Sequence, residues 1–369
     1  MKGFIGFLIS LVLGSLVFGY ALKKVDVLSL KTVWHALSFQ TLGLVLLAYL
    51  VAFVLAIIRW RIFNNKQGVK ISVKQMVLAR LAGNAFNYLT PLALAGGESV
   101  KVLVAADGNQ ENYKKITATI LVEELIHFAV LGFFVFFGTV YSLIRYINAP
   151  QIGIFIILFV ILIFTISILT ILWFGVSRIK TEGRSKNSFF TKIQRWTVLN
   201  KLEKFVRSLR EEMALVFNNG KSAVFKGTLL AVGDIFISAL MWWFLLAGMG
   251  YVLTFPQYVV VWSLLYLAFL VPVPAALGVL ELGQIAAFSI LGFQTPQAIA
   301  LAFSLTNRGI TVFFTIIGLV IAFYFWIKIT ITRYLKETIK TTQNIFRFFI
   351  TLGRQGLFIN EDNDKKEID

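Results

Sequence analysis

Residues 91–103 read PLALAGGESVKVL and lie inside a long apolar region. The stretch carries Pro91, the pair Gly96-Gly97, Glu98 and Lys101. Proline removes a backbone donor, and glycine permits a sharp reversal. Broken backbone at membrane depth survives only where protein or a wet cavity covers it. The surrounding region, Val73–Ala106, is too long for one straight crossing of a hydrocarbon core of about 30 Å. Each arm has about 13–16 residues, about 20–24 Å of helix, and is too short to cross alone. The reading that fits is a helical hairpin entering and leaving by one face. A second region, Gln257–Phe293, repeats the pattern with breaks at Pro272-Val273-Pro274 and Gly278.

Composition agrees with a membrane setting. Of 369 residues, 58% are hydrophobic and 14% charged, whereas soluble domains are about a quarter charged. Mean hydropathy is +0.81. The longest polar stretch, Val176–Ala223, is too short for an ordinary soluble enzyme domain. The chain has no cysteine, which excludes disulfides, thiolate nucleophiles and cysteine-based metal sites. His35 and His127 are its two histidines, too few for a histidine zinc cluster. No cofactor or metal is expected. The formal charge of +17 places basic residues in loops beside apolar spans, as the positive-inside rule expects, and no nucleic-acid partner is inferred.

Candidate spans are Gly3–Leu22, Leu37–Ile58, Ile116–Ile144, Ile152–Phe174, Val224–Gly250 and Pro296–Ile327. The first has no A-x-A-like cleavage site before Lys23 and is read as a retained anchor. The basic segment 176–223 and the tail from Lys328 belong on the cytoplasmic side, as do both termini. The loop Trp60–Val73, with Arg59 at its edge, is placed inside too. The first hairpin then enters from the cytoplasm and the second from outside. The expected fold is an all-α polytopic membrane protein with about six full transmembrane helices plus two re-entrant helical hairpins, about 73–106 and 257–293, in an inverted repeat. Residues 1–327 form the transmembrane domain, and 328–369 a basic cytoplasmic tail with an acidic end. Between Lys192 and Phe217, apolar residues recur every three or four positions, which suits a helix on an anionic lipid surface or a connector packed on neighbouring loops. Asp362-Asn363-Asp364 is taken as an accidental DxD, and Asn360–Asp369 as a disordered end.

Ionisable residues fall within the apolar regions: Arg80, Glu98, Lys101, Glu123, Glu124, His127, Asp234, Glu281 and Arg308. Each costs about 2.5–3.5 kcal/mol at a helix centre on the insertion scale, so the default reading is a polar pathway. Arg80, Asn84 and Asn87 follow spacings of four and three and share a helix face. Glu98 and Lys101 open the return arm, and Glu281 follows the second break as Glu98 follows the first. The candidate substrate-binding residues are Arg80, Asn84, Asn87, Glu98, Lys101, Glu123, Glu281 and Arg308. The candidate hinge residues are Pro91, Gly96, Gly97, Pro272, Pro274 and Gly278. Arg80, Lys101 and Arg308 are expected to meet a phosphate, balanced by the carboxylates; the alternative is a set of structural ion pairs. Glu124 is left between cavity and interface, and Asp234 is read as structural or near the surface. No catalytic residues are assigned.

These residues fall into recognisable motifs. Gly83-Asn84, Leu89-Thr90-Pro91, Gly97-Glu98 and Lys101 resemble the G-N, L-x-P, G-E and R motifs of the lysylphosphatidylglycerol synthase/flippase family, in its transmembrane flippase region. Val122-Glu123-Glu124 is similar to its V-E-R motif. Pro272-Val273-Pro274-Ala275-Ala276-Leu277-Gly278-Val279-Leu280-Glu281 is similar to P-x-P-G-G-x-G-x-x-E, and Asn307-Arg308 falls at its late arginine. Lys101 replaces an arginine, Glu124 stands where arginine is common, His127 where aspartate is common, and Ala275-Ala276 where the family has two glycines. The resemblance implies a lipid translocator, here without the soluble aminoacyl transferase domain that some members carry.

The resulting expectation is a flippase, not an enzyme, for a phosphate-containing lipid, aminoacylated or not. The alternatives are a small-solute or ion secondary transporter and a membrane enzyme acting on a lipid-linked substrate. The expected location is the plasma membrane of a prokaryote. A separate lipid-modifying enzyme and a second copy of the chain are partners this reading leaves open.

Overall fold

The structure, a computed structural model, describes residues 27–90, 97–107, 112–149, 220–271 and 273–361, with isolated positions within 12–23, 152–163 and 213–217; beyond residue 332 it describes backbone alone. The expected spans Gly3–Leu22 and Ile152–Phe174, the amphipathic segment, and the break residues Pro91, Gly96 and Pro272 lie wholly or mostly outside the described residues. Every regular element among the described residues is helical. In chain order they are α1 (Val27–His35), α2 (Phe39–Lys66), α3 (Val73–Leu89), α4 (Glu98–Ala106), α5 (Tyr113–Arg145), α6 (Lys221–Gly248), α7 (Phe255–Ala268), a 3-10 turn (Pro274–Ala276), α8 (Val279–Ile290) and α9 (Pro296–Glu361). Among the described residues, four segments are long and apolar enough to cross a membrane: α2, α5, α6 and the part of α9 from Pro296 to Thr332. The chain divides into two compact units, Met1–Ile321 and Ala322–Asp369. The helical backbone of α9 continues to Glu361, past the Ile327 end expected from hydropathy.

Local chemistry sets the helix ends. Ser38 Oγ accepts from Thr41 N–H at 3.1 Å and starts α2, and Ser72 Oγ accepts from Gln75 N–H at 3.2 Å and starts α3. Each satisfies one of the orphan donors of a first turn. Thr90, which precedes Pro91, is extended at φ −85°, ψ 152°, as a pre-proline residue must be, and α3 stops there. Val273 before Pro274 is extended for the same reason, at φ −121°, ψ 134°. The second break is then turned by Ala275 (φ 54°), Ala276 (φ 47°) and Gly278 (φ 79°). The carboxylate of Glu281 accepts from the Gly278 N–H at 2.7 Å and caps α8.

Glycines fix the close approaches. A Cβ on Gly97 would fall on the backbone of Gly83, and one on Gly83 would displace the Lys101 stem, so α3 and α4 pack backbone against backbone. Gln75 Nε2 donates to the Val104 carbonyl at 2.5 Å, while Asn87 Oδ1 accepts from Gly97 N–H at 2.5 Å. These partners make the pair antiparallel. On the other side of α3, a Cβ at Gly318 of α9 would meet the Leu81 carbonyl. Gly227 of α6 faces the Phe63 ring and Gly248 faces Thr41, so α6 runs antiparallel to α2. The main apolar core gathers around α7 and α8, with Val260, Leu264, Ala268, Ala287, Phe288 and Phe303 buried. Thus a long helix, two short ones and another long helix occur twice: α2, α3–α4, α5, then α6, α7–α8, α9.

Candidate functional site

A cavity of about 350 Å³ lies within the first unit, lined by residues of α2 to α9. Its polar wall contains Arg80, Asn84, Asn87 and Tyr88 of α3, Lys101 of α4, Glu124 and His127 of α5, Asp234 of α6, and Asn307 and Arg308 of α9. Its apolar wall includes Phe53, Phe128, Trp242 and Tyr266. Helical spacing explains the convergence. Arg80, Asn84 and Asn87 form one stripe, and Asp234, Ser238 and Met241 form another, both lining the cavity. The small Ala52 and Ala56 leave the space on α2.

Three polar clusters form the wall. In the first, Arg59 of α2 is fully buried and donates to Glu123 through Nε (2.8 Å) and Nη2 (2.5 Å), and to Asp234 through Nη1 (3.0 Å). His127 Nδ1 lies 3.3 Å from Asp234 and 3.5 Å from Arg59. Arg80 reaches the same Glu123 carboxylate at 3.3 Å. In the second, Lys101 is paired with Glu124 and sits 3.6 Å from Glu98, whose other contact is Asn87 Nδ2 at 3.3 Å. In the third, Arg308 donates to Glu281 through Nε (2.9 Å), with Nη2 2.8 Å from the same carboxylate, and to the Ala275 carbonyl (2.8 Å), Tyr88 Oη (3.3 Å) and the Ala276 carbonyl (3.4 Å). Ser304 also donates to Glu281.

The structure therefore brings Arg80, Asn84, Asn87, Lys101 and Arg308 onto one cavity, with Glu123 and Glu281 buried behind the arginines they pair with and Glu98 beside Lys101. Gly97 precedes the first residue of α4, and Pro274 and Gly278 shape the second break. One sequence reading changes and two alternatives are resolved. Arg59, read as the edge of a loop, lies inside α2 with no exposed surface, because the helix continues to Lys66 and two carboxylates compensate the charge. Of the two places left open for Asp234, the structural one holds: it is buried at the cavity wall and paired with Arg59 and His127. Glu124 faces the cavity through its pair with Lys101. Sequence reasoning also missed Tyr88 and Ser304 as partners in the Arg308 cluster. The signal for Arg59 was present: Ala52, Ala56 and Arg59 follow spacings of four and three, a small-residue stripe ending in a charge. Among the described residues, no group of three or more His, Cys, Asp or Glu could hold a metal ion.

The matching family model is the lysylphosphatidylglycerol synthase TM region, over residues 4–318. The chain belongs to this family. It is also similar to the UPF0104 membrane protein PH1989 of Pyrococcus horikoshii, with 22% identity over 287 residues, 73% of this chain and 82% of that protein. No solved structure matches. With four long apolar helices among the described residues and this family membership, the chain is an integral membrane protein. Ala275 and Ala276 stand at the glycine pair of the motif noted above, and both adopt the left-handed backbone that glycine takes without strain.

Proposed function

We propose that this protein moves a phosphate-containing lipid between bilayer leaflets, with the head group in the cavity and the acyl chains in the lipid. The observation that carries the reading is the cavity of about 350 Å³ itself, lined by Arg80, Lys101 and Arg308 among helices apolar enough to span a membrane. Charges at that depth cost free energy and mark ligand pathways. Membership of the lysylphosphatidylglycerol synthase TM region family supports a lipid-related role.

The short helices supply the moving parts in this reading. At about 1.5 Å per residue, α3 is about 26 Å long, α7 about 21 Å, α8 about 18 Å and α4 about 14 Å, all short of a core of about 30 Å. Each pair, α3–α4 and α7–α8, is a re-entrant hairpin. The antiparallel packing of α2 on α6, the first long helices of the two halves, supports an inverted repeat, the construction that permits alternating access. The protein sits in a prokaryotic plasma membrane with both termini cytoplasmic. The sequence carries no nucleotide-binding motif, so any energy comes from ion or lipid gradients, or transport is downhill scrambling.

Reconstitution tests this directly. The full chain is placed in vesicles carrying fluorescent phospholipids of different head group, and a membrane-impermeant quencher reports leaflet exchange. Exchange faster than in protein-free vesicles and dependent on head group is expected. Folded protein that exchanges none of the lipids, or whose cavity ligand is displaced by a water-soluble solute and not by an anionic amphiphile, overturns the reading in favour of a small-solute transporter.

A further inference from the structure

The four cations of the site differ in how many donors they have left. A guanidinium carries five N–H groups and an ammonium three. Arg308 has all three nitrogens engaged: Nε with Glu281 and Ser304, Nη1 with Tyr88 and the Ala275 carbonyl, and Nη2 with the Ala276 carbonyl and, as an ion pair, Glu281. Arg59 uses four on Glu123, Asp234 and His127 and is shut off from the cavity. Lys101 lies between the two carboxylates of Glu124 and Glu98, a local excess of negative charge that disfavours an anion. Arg80 makes a single bond among the described residues, to Glu123 at 3.3 Å, and lines the cavity. One turn along the same face, the Asn84 amide also lines the cavity and has no protein partner among the described residues.

The geometry points to Arg80 and Asn84 as the phosphate-binding pair of this cavity, with Arg308 as a latch that holds the second break and does not touch the ligand. This rests on the reading of the cavity as a head-group site. Glu123 explains why Arg80 is available. Its carboxylate already accepts two bonds from Arg59, at 2.5 and 2.8 Å, so it stays compensated when Arg80 turns to a ligand. Arg59 is in this sense a positioning residue. The planar fork of Arg80 suits two phosphate oxygens, and the Asn84 amide can donate to a third. The ligand class is a phosphate mono- or diester, recognised through its oxygens.

The test is calorimetric titration of the full chain in detergent with dihexanoyl phosphatidic acid, using dihexanoylglycerol as the phosphate-free control. Binding of the first and not the second is expected. Arg80→Gln should weaken it at least tenfold, Arg80→Lys by an intermediate factor because charge remains without the fork, and Asn84→Ala about threefold. Arg308→Lys should lower the melting temperature and leave affinity within about threefold. Binding unchanged in folded Arg80→Gln, affinity lost in folded Arg308→Lys as fully as in Arg80→Gln, or no phosphate-dependent binding by the wild type overturns the assignment. Arg80-dependent binding without leaflet exchange would sustain this inference and sink the translocator reading. Leaflet exchange insensitive to Arg80→Gln would do the reverse.

Discussion

The two broken helix pairs place a carboxylate just after the break and wire it in opposite ways. After the second break, Glu281 is fully buried, caps Gly278, accepts from Ser304 and is gripped by Arg308, which also holds two carbonyls of the turn. After the first, Glu98 makes a 3.3 Å contact to Asn87 and a 3.6 Å contact to Lys101, and its Oε2 is buried without a partner among the described residues. One break is locked by charge-assisted bonds to a fully buried carboxylate; the other is held by backbone packing and the neutral Asn87–Gly97 bond, with its carboxylate on two long contacts. The same sequence pattern can therefore build a fixed abutment on one side of a cavity and a yielding one on the other.

The largest effect should come from the locked side. Glu281→Ala leaves the Arg308 guanidinium without its counter-charge and should cost about 3–5 kcal/mol, whereas Glu98→Ala should cost about 1 kcal/mol or less. Denaturation in detergent measures both, and equal losses would erase the contrast. Next, Gly97→Ala sets a methyl against the Gly83 backbone and should cost about 1–3 kcal/mol by overpacking. An equivalent methyl at Gly283, where the nearest atoms are 3.6 Å away, should cost less. Smaller still, Ala275→Gly with Ala276→Gly relieves two left-handed residues and should raise stability by about 1 kcal/mol, after the entropy that glycine adds to the unfolded chain. A fall in stability would mean that the turn is not strained. The smallest effect is Glu124→Gln. It relieves the double compensation of Lys101 and should tighten dihexanoyl phosphatidic acid about two- to fivefold, the scale of a part-buried charge contact of about 1 kcal/mol.

The sequence made the four long helices among the described residues and both breaks legible, because hydropathy over some twenty residues and X-Pro steps act locally. The Arg80, Asn84 and Asn87 stripe was legible for the same reason. Arg59 was not, because hydropathy ends a span at the first charge, while the carboxylates that bury this one lie 64 and 175 positions away. Nor does a list of intramembrane charges say which cation is saturated. The difference between Arg308 and Arg80 rests on carbonyls and hydroxyls that only the folded backbone brings within reach. The left-handed Ala275 and Ala276 were similarly invisible, since alanine carries no local signal for that conformation.

The glycine contacts around α3 have a mechanical meaning. Helices meshed by side chains resist axial travel because ridges must climb out of grooves. At Gly83 against Gly97 and the Lys101 stem, and at Gly318 against the Leu81 carbonyl and the Ala85 methyl, α3 meets its neighbours with little side chain between the backbones. Once the Gln75–Val104 and Asn87–Gly97 bonds give way, such a rod can shift lengthwise with little side-chain repacking at those levels, while any tilt drives peptide into peptide at once. The two contacts act as a linear bearing, and Arg80 and Asn84 ride on the shaft.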